Sequence, residues 1–256
     1  DVTNAITANL DDLESGGDDT NHVIASTYTG VLTVNTTSLT SLSRASDNDA
    51  TITGGTGTSD TLNFHGGTLD ATMLGDITAI ENYVMTDDVT ASLTLANANI
   101  ADGKSLVIDG RSSLTASNTF AVVGTSETDG ALTVHGITGV DTITATLSDL
   151  GDTIKGYAGA DVFKFQAAHL TTLDNVDGGA GTDTVQIVTA AATLADADFT
   201  NFSNVEALTF VTIGSSDTDL GAKYVAAGFN AITLAATQSN DLNLDNVTTA
   251  QTLNLV

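Results

Sequence analysis

The sequence predicts an all-β fold: one elongated parallel β-solenoid with short strands, turns rich in glycine and aspartate, and a few short helical segments. Three features predict it, namely the residue composition, short strand-like segments, and internal repeats of near-constant length. Hydrophobic residues make up 41% of the 256 residues, while aromatic residues make up only 5%. The apolar set is dominated by Ala, Val, Leu and Ile and is accompanied by abundant Thr, which favours strands because β-branched side chains pack well on a pleated surface.

The clearest internal repeat lies in the second half of the chain, where segment 151–172 aligns with segment 173–194, which follows it directly. The aligned pairs are Asp152 with Asp174, Gly156 with Gly178, Gly159 with Gly181, and Asp161 with Asp183. Segment 132–144 carries two glycines and Asp141 in the same order, one repeat earlier in the chain. Repeated units that are too short to bury their own apolar faces are typical of solenoids, in which each coil covers its neighbour.

The same alignment predicts two ladders of stacked apolar side chains, spaced by about 4.8 Å as in any paired sheet. One ladder contains Val134, Ile154 and Val176, and the other contains Ile143, Phe163 and Val185.

A larger repeat spans the chain. Segment 54–64 resembles segment 178–188 with Ser59 inserted, and each is followed by a related phrase, at 76–86 and 202–212 respectively. Glu81 and Glu206 occupy equivalent positions in these phrases. Their recurrence favours a structural role, such as closing a coil, over a role in a single active site.

Strands are expected in short segments rich in Thr and Val and bounded by Gly, Asp or Asn. These segments are 28–35, 50–55, 61–64, 93–97, 105–110, 131–136, 141–147, 161–165, 183–188, 206–211, 231–236, 242–247 and 252–256. Short helical turns are expected within 7–15, 167–173 and 194–208. No linker divides the chain, so we expect residues 1–256 to form one region, a fragment of a longer chain or a mature form that begins with Asp.

The charge of the chain is extreme, with six Lys plus Arg against 32 Asp plus Glu and a formal net charge of −26. Nucleic acid is excluded as an expected partner, because phosphate binding needs clustered basic residues. Multivalent cations would neutralise so many carboxylates, whereas a merely soluble acidic surface is the simpler alternative. No apolar run is long enough to form a membrane-spanning helix, so no transmembrane insertion is expected.

The residue types also bear on catalysis. Cysteine is absent, which excludes disulfides, thiolate zinc sites and a cysteine nucleophile. The four histidines are scattered, they form no metal-binding pair, and no G-x-S-x-G elbow is present. We therefore expect no enzymatic activity.

The glycine loops of the repeats are candidate metal sites. Segment 178–186 ("GGAGTDTVQ") fits the pattern G-G-x-G-x-D-x-U-x, where U is a large apolar residue, and segment 156–164 fits it with Tyr157 in place of one glycine. Calcium takes six to eight oxygens from carboxylates and backbone carbonyls. One loop supplies too few of them, so an ion would lie between loops of adjacent coils.

The candidate metal residues are those that the repeat aligns, together with Asp60 in the copy that Ser59 interrupts. They are Asp60, Asp141, Asp152, Gly156, Gly159, Asp161, Asp174, Gly178, Gly179, Gly181 and Asp183. Turns without an ion remain an alternative. A phosphate-binding loop is disfavoured, because a strand follows and no lysine is present in the loop.

These nonapeptides resemble the calcium-binding RTX repeats of secreted bacterial proteins, and the RTX-like section covers residues 130–190. Across the whole chain, the composition and the repeated phrases resemble bacterial calcium-dependent surface-layer proteins. The resemblance implies a parallel β-roll, secretion to the bacterial cell surface, Ca²⁺ as the cofactor, calcium-triggered folding, and self-assembly with cell-surface polysaccharide as a further partner. The alternatives are a segment of a large secreted adhesin and the non-catalytic RTX region of a secreted enzyme.

Overall fold

A computed structural model describes residues 5–10, 22–36, 50–189, 193–211, 217–234 and 241–256. Within these ranges the chain forms a parallel β-solenoid of about nine coils, which confirms the predicted fold class. All the sheets are parallel. No helix in the described ranges has the length and apolar character needed to cross a membrane.

The strands are short and follow one another around the coils. In chain order they are β1 (Ile6–Leu10), β2 (His22–Ile24), β3 (Leu32–Thr36), β4 (Thr51–Thr53), β5 (Thr61–Phe64), β6 (Gly67–Leu69), β7 (Ile77–Thr78), β8 (Asn82–Met85), β9 (Ala91–Thr94), β10 (Ser105–Asp109), β11 (Thr119–Val123), β12 (Ala131–His135), β13 (Val140–Thr144), β14 (Thr153–Lys155), β15 (Ala158–Gly159), β16 (Val162–Phe165), β17 (Asn175–Asp177), β18 (Ala180–Gly181), β19 (Thr184–Ile187), β20 (Leu194–Ala195), β21 (Phe202–Ser203), β22 (Ala207–Phe210), β23 (Asp217–Asp219), β24 (Ala231–Leu234), β25 (Asp241–Asn243) and β26 (Thr252–Leu255).

Two nine-stranded sheets form the main sides of the solenoid. The first sheet has the order β1-β3-β5-β8-β10-β12-β14-β17-β21, and the second has the order β26-β24-β22-β19-β16-β13-β11-β9-β6. A third side carries short sheets toward either end, β2-β4-β7 and β20-β23-β25, and turns between them. The chain passes from the first sheet to the second and then to the third side. The corner before the first sheet and the corner before the second sheet therefore recur along the solenoid.

The core lies between the two long sheets, because alternate side chains of each strand point inward. The predicted ladders are confirmed: Val134 pairs with Ile154 and Ile154 with Val176, while Ile143 pairs with Phe163 and Phe163 with Val185. All six of these side chains are fully buried.

Coil length varies while the strand register is kept. The coil that leads from Val134 to its partner Ile154 is shorter than the coil that leads from Val34 to its partner Leu62. The strand pairing is in register in both coils, so the stacked apolar ladders tolerate coils of different length.

Helical structure is limited to α1 (Ala71–Gly75), α2 (Ala222–Ala227) and three 3₁₀ turns, at Asn97–Asn99, Ala167–His169 and Asp196–Phe199, within the described ranges. The last two confirm the helical turns expected within 167–173 and 194–208. The helix expected within 7–15 is wrong for residues 7–10, because they belong to β1 and pair in register with β3. Residues 11–15 lie outside the described ranges.

Neither α-helix was expected from the sequence. Helix α1 has a recognisable N-cap, since the Asp70 carboxylate accepts hydrogen bonds from the backbone N–H groups of Thr72 and Met73. Helix α2 ends at Gly228, whose left-handed φ of 112° is typical of a C-cap glycine. Each helix has only five or six residues, which is too short for a periodic pattern to be seen.

Every segment expected to form a strand overlaps one. Both copies of the larger repeat form strands, but the two copies lie at different corners of the solenoid. In the first copy β5 and β8 belong to the first sheet, whereas in the second copy β19 and β22 belong to the second sheet.

Candidate metal centre

Acidic side chains stack along two corners of the solenoid, each one at or immediately before the start of a strand. We define the first row as the acids that precede strands of the first sheet, and the second row as those that precede or begin strands of the second sheet. The first row contains Asp60, Glu81, Asp152 and Asp174, and the second contains Asp141, Asp161, Asp183 and Glu206. All six aspartates are buried.

The same hydrogen bond recurs in both rows: a carboxylate oxygen accepts the backbone N–H of the equivalent residue one coil earlier. In the second row, Asp141 N donates to Asp161 Oδ1 at 2.8 Å, and Asp161 N donates to Asp183 Oδ1 at 2.8 Å. In the first row, Asp152 N donates to Asp174 Oδ1 at 2.7 Å. The stacking of these pairs, expected from the repeat alignment, is therefore present.

The two glutamates continue the rows through the same hydrogen bond. Asp60 N donates to Glu81 Oε2 at 2.8 Å, and Asp183 N donates to Glu206 Oε2 at 2.7 Å. These bonds agree with the structural role expected from the recurrence of Glu81 and Glu206. Glu206 was not among the predicted metal residues, although it is the direct continuation of the second row.

In the first row, both oxygens of each aspartate have a partner. The second oxygen of Asp60 accepts from Gly55 N at 2.6 Å, that of Asp152 from Thr146 N at 2.7 Å, and that of Asp174 from Thr171 N at 2.7 Å. The first oxygens of Asp60 and Asp152 accept from Leu32 N and Leu132 N. These carboxylates are occupied in holding turns together.

In the second row, the carboxylates are incompletely paired. Asp161 Oδ2 and Asp183 Oδ2 are buried and have no hydrogen-bond partner among the described residues. The Asp141 carboxylate accepts from a single backbone group, Ile137 N, at 3.1 and 3.3 Å. A buried carboxylate oxygen without a partner costs about 1–3 kcal/mol or more. The two unpaired oxygens therefore destabilise the second row unless a proton or a cation compensates them.

The electrostatics agree with this difference. Burial, with the neighbouring Asp161 carboxylate, raises the pKa of Asp141 to about 9, and burial with the Asp183 carboxylate raises the pKa of Asp161 to about 7. Burial also raises the pKa of Asp183, and Glu206 contributes to that rise. In the first row, burial raises the pKa of Asp152 to about 6, against the hydrogen bonds from Leu132 and Thr146.

Backbone carbonyl oxygens lie beside the unpaired carboxylate oxygens. A Cβ atom on Gly156 would lie 2.2 Å from Asp161 Oδ2 and 2.6 Å from the carbonyl oxygen of Gly178. A Cβ atom on Gly178 would lie 2.7 Å from Asp183 Oδ2 and 2.1 Å from the carbonyl oxygen of Asn204. Glycine at these positions therefore leaves space in which a carboxylate and a carbonyl of the next coil come together.

The remaining loop glycines serve close packing between coils. A Cβ atom on Gly181 would lie 1.5 Å from the carbonyl oxygen of Gly159, and Gly159 itself lies against the carbonyl oxygen of Gly139. Gly179 has a φ of 92°, and Tyr157, its equivalent one coil earlier, keeps the same left-handed region with a φ of 70°. The substitution of Tyr for glycine in the motif is thus accommodated with backbone strain.

The donor set fits calcium. In the described part of the chain, no three Asp, Glu or His side chains converge into one ligand cluster, so an ion at the second row would depend on carbonyl oxygens as well as carboxylates. Carboxylate and carbonyl oxygens are the hard ligands that Ca²⁺ prefers. Of the predicted aspartates, Asp161 and Asp183 carry the unpaired oxygens, while Asp60, Asp152 and Asp174 do not.

Three histidines make specific contacts away from both rows. His65 Nδ1 contacts the Asp87 carboxylate, His169 Nδ1 lies 3.0 Å from Asp149 Oδ1, and His135 Nδ1 lies 2.9 Å from the Tyr157 hydroxyl. His22 lies in β2 with an exposed side chain.

For the chain that carries this fold and these two rows of acids, no protein-family model, curated protein or solved structure gives a significant match.

Proposed function

We propose that this chain is a structural protein of the bacterial cell surface, secreted and stabilised by calcium, that assembles with copies of itself into a surface layer. The observation that supports it most directly is the pair of buried, unpartnered oxygens on Asp161 and Asp183, set beside carbonyl oxygens of the next coil. Bound calcium would compensate these charges. The RTX-like resemblance of the same loops connects the calcium chemistry with secreted surface proteins.

Asp161 and Asp183 would hold the ions together with the carbonyl oxygens of Gly178 and Asn204. Calcium binds only the folded arrangement, since the loops come together only when coils stack, so it stabilises folding by mass action. In the extracellular environment, where millimolar affinities suffice, folding would follow contact with calcium.

Self-assembly is supported by the parallel sheets themselves. Strand β26 pairs with β24 along one edge, and its apolar side chains Leu253 and Leu255 are 52% and 70% exposed. A strand edge with free backbone groups and apolar side chains is a template for a further strand. In this proposal another coil, from a second copy or from a longer form of the chain, covers it.

The proposal is tested by imaging the purified protein by electron microscopy in millimolar calcium and in chelator. Ordered two-dimensional arrays that appear only with calcium are the expected result. Monomers under both conditions would contradict self-assembly.

A second candidate is a segment of a large surface adhesin, favoured by one group of side chains at the ends of first-sheet strands β10, β12 and β14. Arg111 donates to Asp109 through Nε and Nη2 at 2.9 and 2.6 Å, and His135 and Tyr157 lie on the following coils. Tyr157 is 40% exposed. An aromatic ring among several donors and acceptors suits binding of a cell-surface polysaccharide, and projecting fibres with saccharide binding would favour this candidate.

A further inference from the structure

A second pair of carboxylates lies away from both rows, in the third-side turn that joins β11 to β12. Glu127 is fully buried, and its Oε1 accepts from Asp129 N at 3.0 Å and from Gly130 N at 2.9 Å. Its other oxygen, Oε2, and the Asp129 Oδ1 atom are both buried without a hydrogen-bond partner in the described residues. Two unpaired acidic oxygens thus share one short turn.

The turn is held in place by neighbouring coils. Gly103 N donates to the carbonyl oxygen of Asp129 at 2.9 Å, and Leu147 N donates to that of Glu127 at 2.8 Å. Thr128 donates to Asn97 Oδ1 through both N and Oγ1 at 3.1 Å. The two carboxylates are therefore fixed near each other by contacts with the coil before and the coil after.

Nothing in the described part of the chain neutralises this pair. The ion pairs found there join His65 to Asp87, Arg111 to Asp109 and His169 to Asp149, so none reaches Glu127 or Asp129. Burial raises the pKa of Glu127, and the nearby Asp129 carboxylate adds to the rise. Such a pair either shares a proton or binds a cation.

We propose that Glu127 and Asp129 bind a divalent cation of the hard, oxygen-preferring class, with Ca²⁺ as the probe ion. Two carboxylates match a charge of +2, and an all-oxygen set selects calcium over metals that prefer nitrogen or sulfur. Ser126 and Thr128, on either side of Glu127, are exposed, so the turn lies at the surface of the solenoid. This site is separate from the second row and does not depend on the function proposed above.

The test uses the intact chain with Asp161→Asn and Asp183→Asn, so that the second row no longer has its two unpaired carboxylate oxygens. Calcium is titrated by calorimetry to several millimolar near pH 7.5, and thermal unfolding is followed in parallel. Glu127→Gln in this background should weaken calcium binding at least about tenfold, because a charged ligand is lost. Asp102→Asn, which removes an exposed charge from the preceding coil, should leave binding unchanged.

Folding of the variant is controlled in chelator. The amide of Glu127→Gln keeps an oxygen for the N–H groups of Asp129 and Gly130 and can donate to Asp129 Oδ1, so the unfolding temperature should be equal or higher. Calcium binding that persists in Glu127→Gln overturns the proposal. An absence of calcium binding in the background protein also overturns it, and assigns the pair to a shared proton. If the second row binds no calcium, the background and the original chain respond alike, which separates this test from the proposed function.

Discussion

Asp161 and Asp183 each have one carboxylate oxygen that accepts a backbone N–H and one that is buried without a partner among the described residues. The first oxygen builds the stack, because it connects consecutive coils. The second oxygen is where a cation would act. In the proposed calcium site, one residue would combine a structural and a binding role, and an amide substitution can separate the two.

Asp161→Asn is expected to change stability with opposite sign in the two conditions. In chelator the free energy of unfolding should rise by about 1–2 kcal/mol, since the buried charge is removed and the amide can donate to the Gly178 carbonyl. In calcium, Asp161→Asn should be less stable than the original chain, because the variant should lose most of the stabilisation that the bound ion gives. Chemical denaturation in both conditions measures this, with Asp102→Asn as the exposed control.

The opposite outcome is informative. If Asp161→Asn lowers stability equally with calcium and with chelator, the side chain serves only the turn, and the second row is not a calcium site.

Tyr157 holds a left-handed φ of 70° at a position where the motif has glycine. Tyr157→Gly should raise the free energy of unfolding by about 1 kcal/mol, because glycine adopts this region without strain. The measurement is best made in a His135→Ala background, which removes the hydrogen bond between His135 and the Tyr157 hydroxyl. Ala158→Gly, whose φ is not positive, is the control and should lower stability by up to about 1 kcal/mol. Equal effects of the two substitutions would show that Tyr157 is not strained.

At the scale of elements, a strand is joined to the next coil by its sheet partners and by the acid that precedes it. Glu206→Ala should lower the free energy of unfolding by about 1–3 kcal/mol, because the N–H of Asp183 then has no acceptor. Glu206→Gln keeps an acceptor oxygen and serves as the matched control. Denaturation midpoints that are the same for both variants would rule out this role for the carboxylate.

Much of this level of structure could be predicted from the sequence. The repeat alignment predicted the stacking of Asp161 on Asp183 and of Ile154 on Val176, because strand register fixes which residues meet. It could not predict that Asp152 and Asp174 would be fully hydrogen-bonded while Asp161 and Asp183 are not. That difference depends on turn atoms such as Thr146 N and Thr171 N, whose positions follow from the folded loops.

The two α-helices were beyond the sequence patterns, as was the strand at residues 7–10. Residues 7–10 have a polar and apolar mixture that a helix or a strand could accept, and pairing with β3 decides for the strand. The Glu127 and Asp129 pair belongs to no repeat, so no alignment within the chain could find it.

The whole molecule has a formal net charge of −26, and buried aspartates lie along both corners of the solenoid. In chelator, stability should therefore rise as the pH falls from about 9 toward 5. The pKa of Asp141 in the folded state is about 9, and that of Asp161 about 7, against 3.8 for a free aspartate. The folded state thus gains protons that the unfolded state does not bind, and this stabilisation is lost as the pH rises through the folded-state values.

Thermal unfolding at several pH values in chelator measures this dependence. Calcium should reduce it, because the ion and the proton compete for the same carboxylates. Stability that falls on acidification over this range would contradict the unpaired, buried state of the second-row carboxylates.

Calcium between stacked Gly/Asp loops is proposed to stabilise the solenoid, and circular dichroism near pH 8 tests this most directly. The strand signal and the unfolding temperature should both be higher in millimolar calcium than in chelator, and chelator added to the folded protein should reverse the difference. A strand signal and an unfolding temperature that are the same in calcium and in chelator would contradict calcium-dependent folding.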